Sequence, residues 1–488
     1  MKKMYFTISF ENKWKQVEVV IDDPIVNEFL SNSKENLLIT PQVSDFIRSH
    51  KKETLPHIID VECLIRHLEQ KGKDLLISSS RIWSFSRTLR DRGFIDSNFK
   101  ITAENLNEFI AISVDYLDEL IKYSEPIEKR RLFDIEIPTN QIIYSREIDG
   151  LTYNIDKIPQ LCRELEEKIY RTKNILQLEF NIFNPDNKDQ QIKYINSRYF
   201  QLINESIYKT FKRYRHNDTV SSLFYELIRY QKDLDTFIFI SSHWGGKNKC
   251  YPSYFGYGTI TSRITMREPS IQNLRREARK VIIPENKKRF LYIDYSQFEA
   301  GILAALSCDE NLIHLFNEGI IYSSLGDFLY PNEENNELKR EKAKEDFYAY
   351  VYSDEVNQRY KEYFNQFPAL EEYKKSLKNE IIENQKIGSK FGNFRLLGQI
   401  EECNWYLSHK IQATASLIYK KALIKVNLEI PEAEFLVPMH DGTLYQLPDT
   451  PKYSELKDKI EDIYIAIFKD FFPSINLKPR AKIKEKFD

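Results

Sequence analysis

Two aspartates that follow short apolar runs could hold metal ions together. Asp294 comes directly after the strand-like run 290–293, and Asp441 lies between two further strand-like runs, 435–437 and 443–445. Carboxylates fixed at the ends of neighbouring strands supply the oxygen ligands that Mg²⁺ prefers, and two such ions about 3.5–4 Å apart support phosphoryl transfer. Each aspartate taken alone has a structural explanation, Asp294 as a helix N-cap and Asp441 as part of an Asp-Gly hairpin turn. The pair predicts a two-metal site only together with other residues.

Four residues spaced four positions apart lie between the aspartates in sequence and could bind a nucleotide. They are Arg340, Lys344, Tyr348 and Tyr352, in a segment, 337–352, whose pattern predicts a helix. Because successive members rotate by about 40° around a helix, all four fan across one face. Two cations followed by two phenol rings suit a triphosphate at one end and a base at the other. Taken by itself, the segment could equally be an amphipathic surface helix.

The bulk properties of the chain restrict its class. The 488 residues are enough for two or three domains, each with its own core, and the formal net charge is only −2. Segment 263–289 nevertheless holds nine basic side chains against three acidic ones, a stripe that suits a polyanion or, alternatively, a solvated surface. Five widely spaced cysteines predict reduced thiols and no structural zinc. No apolar run approaches the roughly 20 residues that span a bilayer, so we expect a soluble cytoplasmic protein without a membrane partner.

Several motifs in this chain occur in the order found in one known family. Segment 294–299 resembles the first palm motif of the family A DNA polymerases, the bacterial DNA polymerase I type, and His440-Asp441 matches their second palm motif. The helical residues with four-residue spacing match the fingers motif at every step. Further matches are primer- and template-contacting segments at 261–263 and 270–273 and a template-contacting palm helix at 412–415. The resemblance covers about residues 132–488.

The resemblance implies an α+β right-hand polymerase fold, with an antiparallel palm sheet, helical fingers and a helical thumb, preceded by a small exonuclease-like α/β domain. The expected domains are a reduced exonuclease-like domain at 1–131, the start of the polymerase region and the thumb at 132–245, the first part of the palm at 246–312, the fingers at 313–407 and the rest of the palm at 408–488. Asp60 and Glu62 have no convincing carboxylate partners in the first of these. We therefore expect that domain to be inactive.

The resemblance also implies a role for each site residue. Asp294 and Asp441 would bind two Mg²⁺ ions, for which Mn²⁺ is a possible substitute, and Lys344 would donate a proton to pyrophosphate. The nucleotide-binding residues would be Arg340, Lys344, Tyr348, Glu299, Gln297 and His440, with Glu299 as the steric gate against a ribose 2′-hydroxyl. The DNA-binding residues would be Arg263, Gln272, Asn273, Tyr352 and Gln412. The implied partners are primer-template DNA and dNTPs, and the protein is expected to be a monomer.

Four positions depart from the family's pattern. Gly442 stands where an acid usually follows the palm His-Asp pair, which removes a secondary carboxylate. Ser353 replaces a glycine of the fingers helix and would alter fingers closure, and Asn404 replaces a basic residue, which would weaken the grip on template or primer. Tyr348 occupies a position that is often phenylalanine. A phenol there resembles the form that accepts dideoxynucleotides readily, and we expect the same of this protein.

The expected function is template-directed DNA synthesis without proofreading, in DNA replication or repair, by addition of deoxynucleotides to a primer 3′-hydroxyl with release of pyrophosphate. Two other functions fit part of the pattern. A single-subunit RNA polymerase relative would share the fold and the palm aspartates, but Glu299 and the Gln272-Asn273 segment argue against it. A catalytically silent nucleic-acid-binding accessory protein would account for Gly442 and Ser353, whereas the retained aspartates and cations argue against that function.

Overall fold

The computed structural model of the chain describes residues 2–50, 55–69, 84–199, 206–352, 358–397 and 405–487. The chain divides into two compact units. The first consists of Met1–Ile148, Tyr254–Thr265 and Lys287–Glu485, and the second of Asp149–Ser253, Met266–Asn286 and Lys486–Asp488. The second unit holds most of the segment predicted as the thumb, and the finer domain boundaries stay predictions.

Helices and strands alternate irregularly along the chain. The strands are β1 Met4–Phe10, β2 Lys13–Val19, β3 Leu37–Thr40, β4 His57–Asp60, β5 Leu151–Thr152, β6 Lys249–Cys250, β7 Ser253–Phe255, β8 Thr265–Arg267, β9 Lys288–Tyr295, β10 Lys386–Ser389, β11 Gly392–Leu396, β12 Glu434–Pro438, β13 Gly442–Pro448 and β14 Ala481–Lys484. The helices are α1 Pro24–Asn32, α2 Val43–Ser49, α3 Val61–Leu68, α4 Phe85–Asp91, α5 Leu106–Tyr123, α6 Pro126–Arg131, α7 Ile137–Asp149, α8 Ile158–Phe180, α9 Lys188–Tyr199, α10 Ile207–Tyr214, α11 Thr219–Trp244, α12 Arg276–Arg279, α13 Phe298–Ser307, α14 Glu310–Glu318, α15 Ile321–Leu329, α16 Asn336–Tyr352, α17 Gln358–Phe364, α18 Pro368–Asn384, α19 Tyr406–Glu429 and α20 Tyr453–Phe471.

The N-terminal part of the first unit contains a four-stranded mixed sheet of order β2-β1-β3-β4. β1 and β2 form an antiparallel hairpin whose turn residues Glu11 and Asn12 have positive φ angles of 50° and 62°, as the tight turn that matches strand twist requires. β3 pairs in parallel with β1 and with β4. The apolar core of this region includes Leu132, Phe133 and Ile137. It therefore continues into the chain that begins the predicted polymerase region.

A second four-stranded sheet, of order β12-β13-β9-β14, is antiparallel throughout and carries the strand that ends near Asp294. Residues alternate between the two faces of a strand, and in β9 the side chains of Ile293 and Tyr295 are buried. The hydroxyl of Tyr295 donates to the carbonyl oxygen of Tyr464 in α20, at 2.9 Å. Asp294, the neighbour of Tyr295 in β9, therefore projects from the face of the sheet opposite to α20.

The helix predicted from the four-residue spacing is present as α16, Asn336–Tyr352. The side chain of Asn335 accepts hydrogen bonds from the backbone N–H groups of Glu337 and Leu338, both at 3.1 Å, which satisfies two amides of the first turn. Phe347 and Val351 are buried. The helix is therefore packed into the first unit along one side, and its predicted start differs by one residue.

The second unit is built around the long helices α8 and α11. Arg275, from the basic stripe of the sequence, is buried there beside α11. Its Nε donates to Asp233 Oδ2 at 2.6 Å, and its guanidinium lies 4.1 Å from the centroid of the Tyr230 ring. One cation of the stripe is thus neutralised inside the protein.

Charged side chains around α6 form a buried network in the first unit. The Arg131 Nε donates to Glu128 Oε2 at 2.9 Å, and its Nη1 lies 3.3 Å from Glu136 Oε1. Lys420 of α19 donates to Glu136 Oε2 at 2.6 Å. The Nη2 of Arg131 donates to His67 Nδ1 at 2.6 Å, while burial lowers the pKa of His67 well below its usual value. A neutral His67 therefore joins α3 to α6, and Lys420 joins α19 to the same cluster.

Within the described ranges, none of the helices combines the length and the apolar character needed to cross a bilayer. Cys63, Cys162, Cys250 and Cys308 are free thiols, as predicted from their spacing. Cys403 lies outside the described residues.

Candidate active site

Asp294 and the turn that holds Asp441 lie next to each other because of the register between β9 and β13. The Cα of Asp294 pairs with that of Gly442, the residue that follows Asp441. A Cβ atom at Gly442 would lie 2.2 Å from the carbonyl oxygen of Ile293 and 2.8 Å from the Cα of Asp294. No side chain fits at that distance. The backbones approach so closely that the acid usual in the family is sterically excluded here.

The two aspartates lie in surroundings that disfavour their ionised forms. Burial is the largest cause for both and raises the pKa of Asp294 to about 6 and that of Asp441 to about 7. Glu299 raises the pKa of Asp441 further, whereas Arg263, 3.6 Å from Asp441 Oδ1, and Lys344 lower it. Lys344 also lowers the pKa of Asp294. The pair is therefore an oxygen-donor site that an added cation would stabilise.

Glu299 connects two other predicted site residues, Arg263 and Tyr352. One of its carboxylate oxygens accepts a hydrogen bond from the guanidinium of Arg263, and Oε2 accepts one from the hydroxyl of Tyr352 at 2.6 Å. Glu299 lies in the first turn of α13, and Tyr352 is the last residue of α16. Glu299, which is predicted to contact the nucleotide sugar, is thus held in place by Arg263 and Tyr352, which are predicted to contact DNA.

Tyr322 contacts two of the predicted site residues, Tyr348 and Arg340, although the sequence did not single it out. It is 2% exposed, and its hydroxyl lies 2.8 Å from the hydroxyl of Tyr348. The guanidinium of Arg340 lies 5.4 Å from the centroid of its ring, within the range of a cation–π contact. Tyr322 lies near the start of α15, and its distance in sequence from α16 follows no helical or strand repeat. No sequence pattern therefore connects Tyr322 with Tyr348.

A cavity of about 900 Å³ opens beside α16, and its charged lining consists of four basic and three acidic side chains. Its wall includes Gln297, Arg340, Arg480 and Lys482. Gln297 adopts a left-handed backbone conformation, with φ of 54°, and its amide donates to the carbonyl oxygen of Gly319. The cavity is large enough for a nucleotide triphosphate.

Other predicted residues lie elsewhere or make local contacts. Gln272 and Asn273 belong to the second unit. There, Gln272 Oε1 accepts from the backbone N–H of Met266 at 2.9 Å, and Asn273 Nδ2 donates to Ser270 Oγ at 2.6 Å. Gln412 is a half-buried residue of α19, and His440 is exposed between β12 and β13. The expectations for Ser353 and Asn404 fall outside the described residues.

The basic stripe, 263–289, is not a row of unpaired cations. Its residues are divided between the two units. Besides the pairs of Arg263 and Arg275, Lys288 forms an ion pair with Glu434 at 2.5 Å, and Arg289 pairs with Glu485. Several cations of the stripe therefore pair with acidic side chains of the protein itself, and a polyanion-binding or a solvated surface stays a prediction for the stripe as a whole.

Comparison with known proteins identifies the family. The model of DNA polymerase family A matches residues 156–469 of this chain, which is more than half of its length.

The chain belongs to DNA polymerase family A.

Curated family A relatives are distantly similar. DNA polymerase I of Caldicellulosiruptor bescii is 25% identical over 397 residues, covering 71% of this chain and 46% of that protein. DNA polymerase I of Helicobacter pylori is 23% identical over 508 residues, covering 88% of this chain and 55% of that protein. The chain thus spans about half the length of the curated relatives it matches.

A solved family A structure shows the same fold. The POL domain of Pol1 from M. smegmatis, in complex with DNA primer-template and dNTP, is similar with a TM-score of 0.73 and 14% identity, covering 100% of this chain and 96% of that one. The predicted α+β right-hand polymerase fold is confirmed by this likeness.

Proposed function

We propose that the chain is a DNA-directed DNA polymerase that extends a primer 3′-hydroxyl with deoxynucleotides and releases pyrophosphate. The observation that carries the proposal is the register of β9 and β13, which places Asp294 beside the turn of Asp441 within electrostatic reach of Lys344. Two carboxylates and a cation from α16 at one point are what nucleotidyl transfer needs.

The carboxylate pair fits a divalent metal. Mg²⁺ prefers carboxylate oxygens to softer ligands, and burial, which raises the pKa of both aspartates, disfavours their ionised forms in the absence of a bound cation. Asp294 and Asp441 would hold two Mg²⁺ ions, with Mn²⁺ as a substitute. The bound metal would lower the pKa of the primer hydroxyl and neutralise charge on the phosphates.

The side chains of α16 would bind the nucleotide. Arg340 and Lys344 hold the triphosphate, Lys344 protonates the departing pyrophosphate, and Tyr348 packs on the sugar and base. Glu299 acts as the steric gate, and its two hydrogen bonds, to Arg263 and Tyr352, keep it in one position, which a gate requires. Gln297 and His440 complete the nucleotide site.

Primer-template DNA would contact Arg263, Gln272, Asn273, Tyr352 and Gln412. Because each phosphate contact releases counterions, binding should weaken about 10³-fold or more between about 50 and 200 mM salt if six or more phosphates are contacted. A flat salt response would argue against the DNA partner. We further propose that the protein is a monomer and that it is cytoplasmic; the free thiols are consistent with a reducing compartment.

We also propose that the N-terminal region lacks proofreading activity. Asp60 is the N-cap of α3, and its Oδ1 accepts from the backbone N–H of Glu62 at 2.8 Å. Glu62 forms an ion pair with Arg66. Both carboxylates therefore have structural roles. Magnesium-dependent 3′→5′ trimming that disappears in Asp60→Ala would overturn this part of the proposal.

Primer extension with Mg²⁺, comparing dNTPs with rNTPs, tests the function. Asp441→Asn should lose several orders of magnitude in rate, because the remaining metal site is short of a ligand. Asp458→Asn is the matched control, since Asp458 is 67% exposed on α20, and it should be as active as wild type. Preference for rNTPs would favour the RNA polymerase alternative. Duplex binding without extension would favour a silent accessory protein.

A further inference from the structure

The strand β14 brings lysines to the edge of the palm sheet beside Asp294. It pairs antiparallel with β9, and the register places Lys482 opposite Asp294 and Lys484 opposite Tyr292. Residues directly opposite each other in an antiparallel pair project to the same face of the sheet. Lys482 therefore projects from the face that presents Asp294, away from the buried Ile293.

Lys482 also lines the 900 Å³ cavity beside α16. Arg340 and Arg480 lie in the same wall. The guanidinium of Arg480 is engaged, because its Nη atoms donate to the carbonyl oxygens of Phe316 at 2.6 Å and Asn317 at 2.9 Å. Lys339, another cation of the wall, pairs with Asp327 at 3.1 Å. Lys482 and Arg340 are thus the cations of this wall best placed to meet a ligand.

The charges around Lys482 are mostly of the same sign. Burial lowers its pKa, and so do Arg340, Lys344 and Lys484, while Asp294 acts in the opposite direction. Cations from α16 and from β14 therefore converge on one carboxylate. The cavity wall as a whole holds four basic and three acidic side chains, so the positive charge is concentrated where Arg340, Lys344 and Lys484 surround Lys482. Such a local concentration attracts a polyanion, and the phosphates of a nucleotide or pyrophosphate have the complementary charge.

We propose that Lys482 binds the phosphates of the incoming nucleotide and of the leaving pyrophosphate, from the palm side of the site. Arg340 and Lys344 would approach the same phosphates from α16. This assignment rests on the polymerase function proposed above and adds a third cation, from a different element, to its triphosphate site. In the sequence, Lys482 and Lys484 form a Lys-x-Lys pattern, which indicates that both side chains lie on one face of a strand. The pattern points to the phosphate site only when β14 is placed beside β9.

Three variants of the full chain test this role. Lys482→Ala should raise the KM for dNTP about ten- to hundredfold, as expected for loss of one charge-assisted hydrogen bond. It should raise the pyrophosphate concentration needed for the reverse reaction by a similar factor. Lys482→Arg should restore most of both. Lys478→Ala, which removes a lysine of the same segment outside the cavity wall, should match wild type.

Two results would overturn the assignment. One is an unchanged KM for dNTP together with unchanged pyrophosphate dependence in Lys482→Ala. The other is a weakened affinity for primer-template DNA, measured without nucleotide, at an unchanged KM. Thermal unfolding checks that each variant is folded. If wild type extends no primer, the polymerase proposal fails separately, and calorimetric titration with magnesium pyrophosphate still decides on Lys482, since equal binding by wild type and Lys482→Ala would refute it.

Discussion

At the residue scale, the two aspartates proposed to bind metal destabilise the metal-free protein at neutral pH, because burial disfavours their ionised forms. An ordinary aspartate has a pKa of about 3.9 in an unfolded chain, whereas burial raises that of Asp441 to about 7 in the folded protein. The folded state therefore retains a proton that the unfolded state has already released. The stability that this proton contributes is present below about pH 4 and is lost as the pH rises through about 7.

Asp441→Asn should accordingly stabilise the metal-free protein at high pH. Asparagine resembles the protonated acid, so the gain in the free energy of unfolding should be about 1–3 kcal/mol larger at pH 8 than at pH 5. Denaturant unfolding in EDTA measures it. Asp458→Asn, on an exposed side chain, should show no such difference. An equal gain in the free energy of unfolding at both pH values would contradict the raised pKa of Asp441.

A second prediction at the residue scale concerns the phenol of Tyr348 and the incorporation of dideoxynucleotides. Wild type should incorporate dideoxynucleotides readily, and Tyr348→Phe should discriminate against them at least about tenfold more strongly, a difference of about 1.4 kcal/mol. Tyr322→Phe is the matched control, because it breaks the same 2.8 Å hydrogen bond but keeps the Tyr348 hydroxyl. Competition between dNTP and ddNTP in primer extension measures the ratio. Strong dideoxy exclusion by wild type would refute the prediction, and equal effects of both variants would assign the effect to the hydrogen bond.

At the element scale, the buried polar and charged side chains around α6 join three helices of the first unit. α3 contributes His67, α6 contributes Glu128 and Arg131, and α19 contributes Lys420. Breaking one partner of a buried pair is costly because the other charge stays desolvated. The cluster therefore fixes how the palm helix α19 packs against the N-terminal region.

Lys420→Met should destabilise the protein by about 3–5 kcal/mol, since Glu136 loses the nearer of two buried cationic partners, Lys420 at 2.6 Å, and keeps Arg131 at 3.3 Å. The control is Lys425→Met on the same helix, because the pair of Lys425 with Glu429 is 3.9 Å long and exposed, and its loss should cost less than about 1 kcal/mol. Chemical denaturation measures both. Adding Glu136→Met to Lys420→Met should recover part of the loss, and no recovery would show that packing, rather than charge, is responsible.

At the scale of the whole molecule, the N-terminal region and the start of the polymerase region share one apolar core. Phe133 is 2% exposed, and its ring lies 5.0 Å from that of Phe29. Leu132 and Ile137 belong to the same cluster. The region that resembles a reduced exonuclease domain therefore contributes to folding whatever its chemistry.

Removing residues 1–131 should leave a chain that aggregates or melts at a markedly lower temperature, because the apolar partners of Phe133 are lost. Full-length Asp60→Ala is the comparison, since it removes a carboxylate and a helix cap, which costs only about 1 kcal/mol. Soluble yield and thermal unfolding measure the difference. A truncated chain that is soluble and melts like wild type would show that the polymerase region folds independently.

Features that depend on local spacing could be predicted from the amino-acid sequence alone. The face of α16 with Arg340, Lys344 and Tyr348 follows from a four-residue repeat in a helix, and the position of Asp294 follows from the apolar strand before it. The order of such motifs also identified the family and, through it, the fold. These features survive in a linear pattern because each is set by neighbours in the chain.

Contacts between residues that are distant in sequence depend on the tertiary structure. The placement of Lys482 opposite Asp294 depends on the register of two strands, and a shift of one residue would turn the lysine to the other face. The hydroxyl pair of Tyr322 and Tyr348 depends on how α15 packs against α16. The exclusion of any side chain at Gly442 depends on the close approach of β9 and β13. Register and packing are set by the whole core, so they leave no signal in a local stretch of sequence.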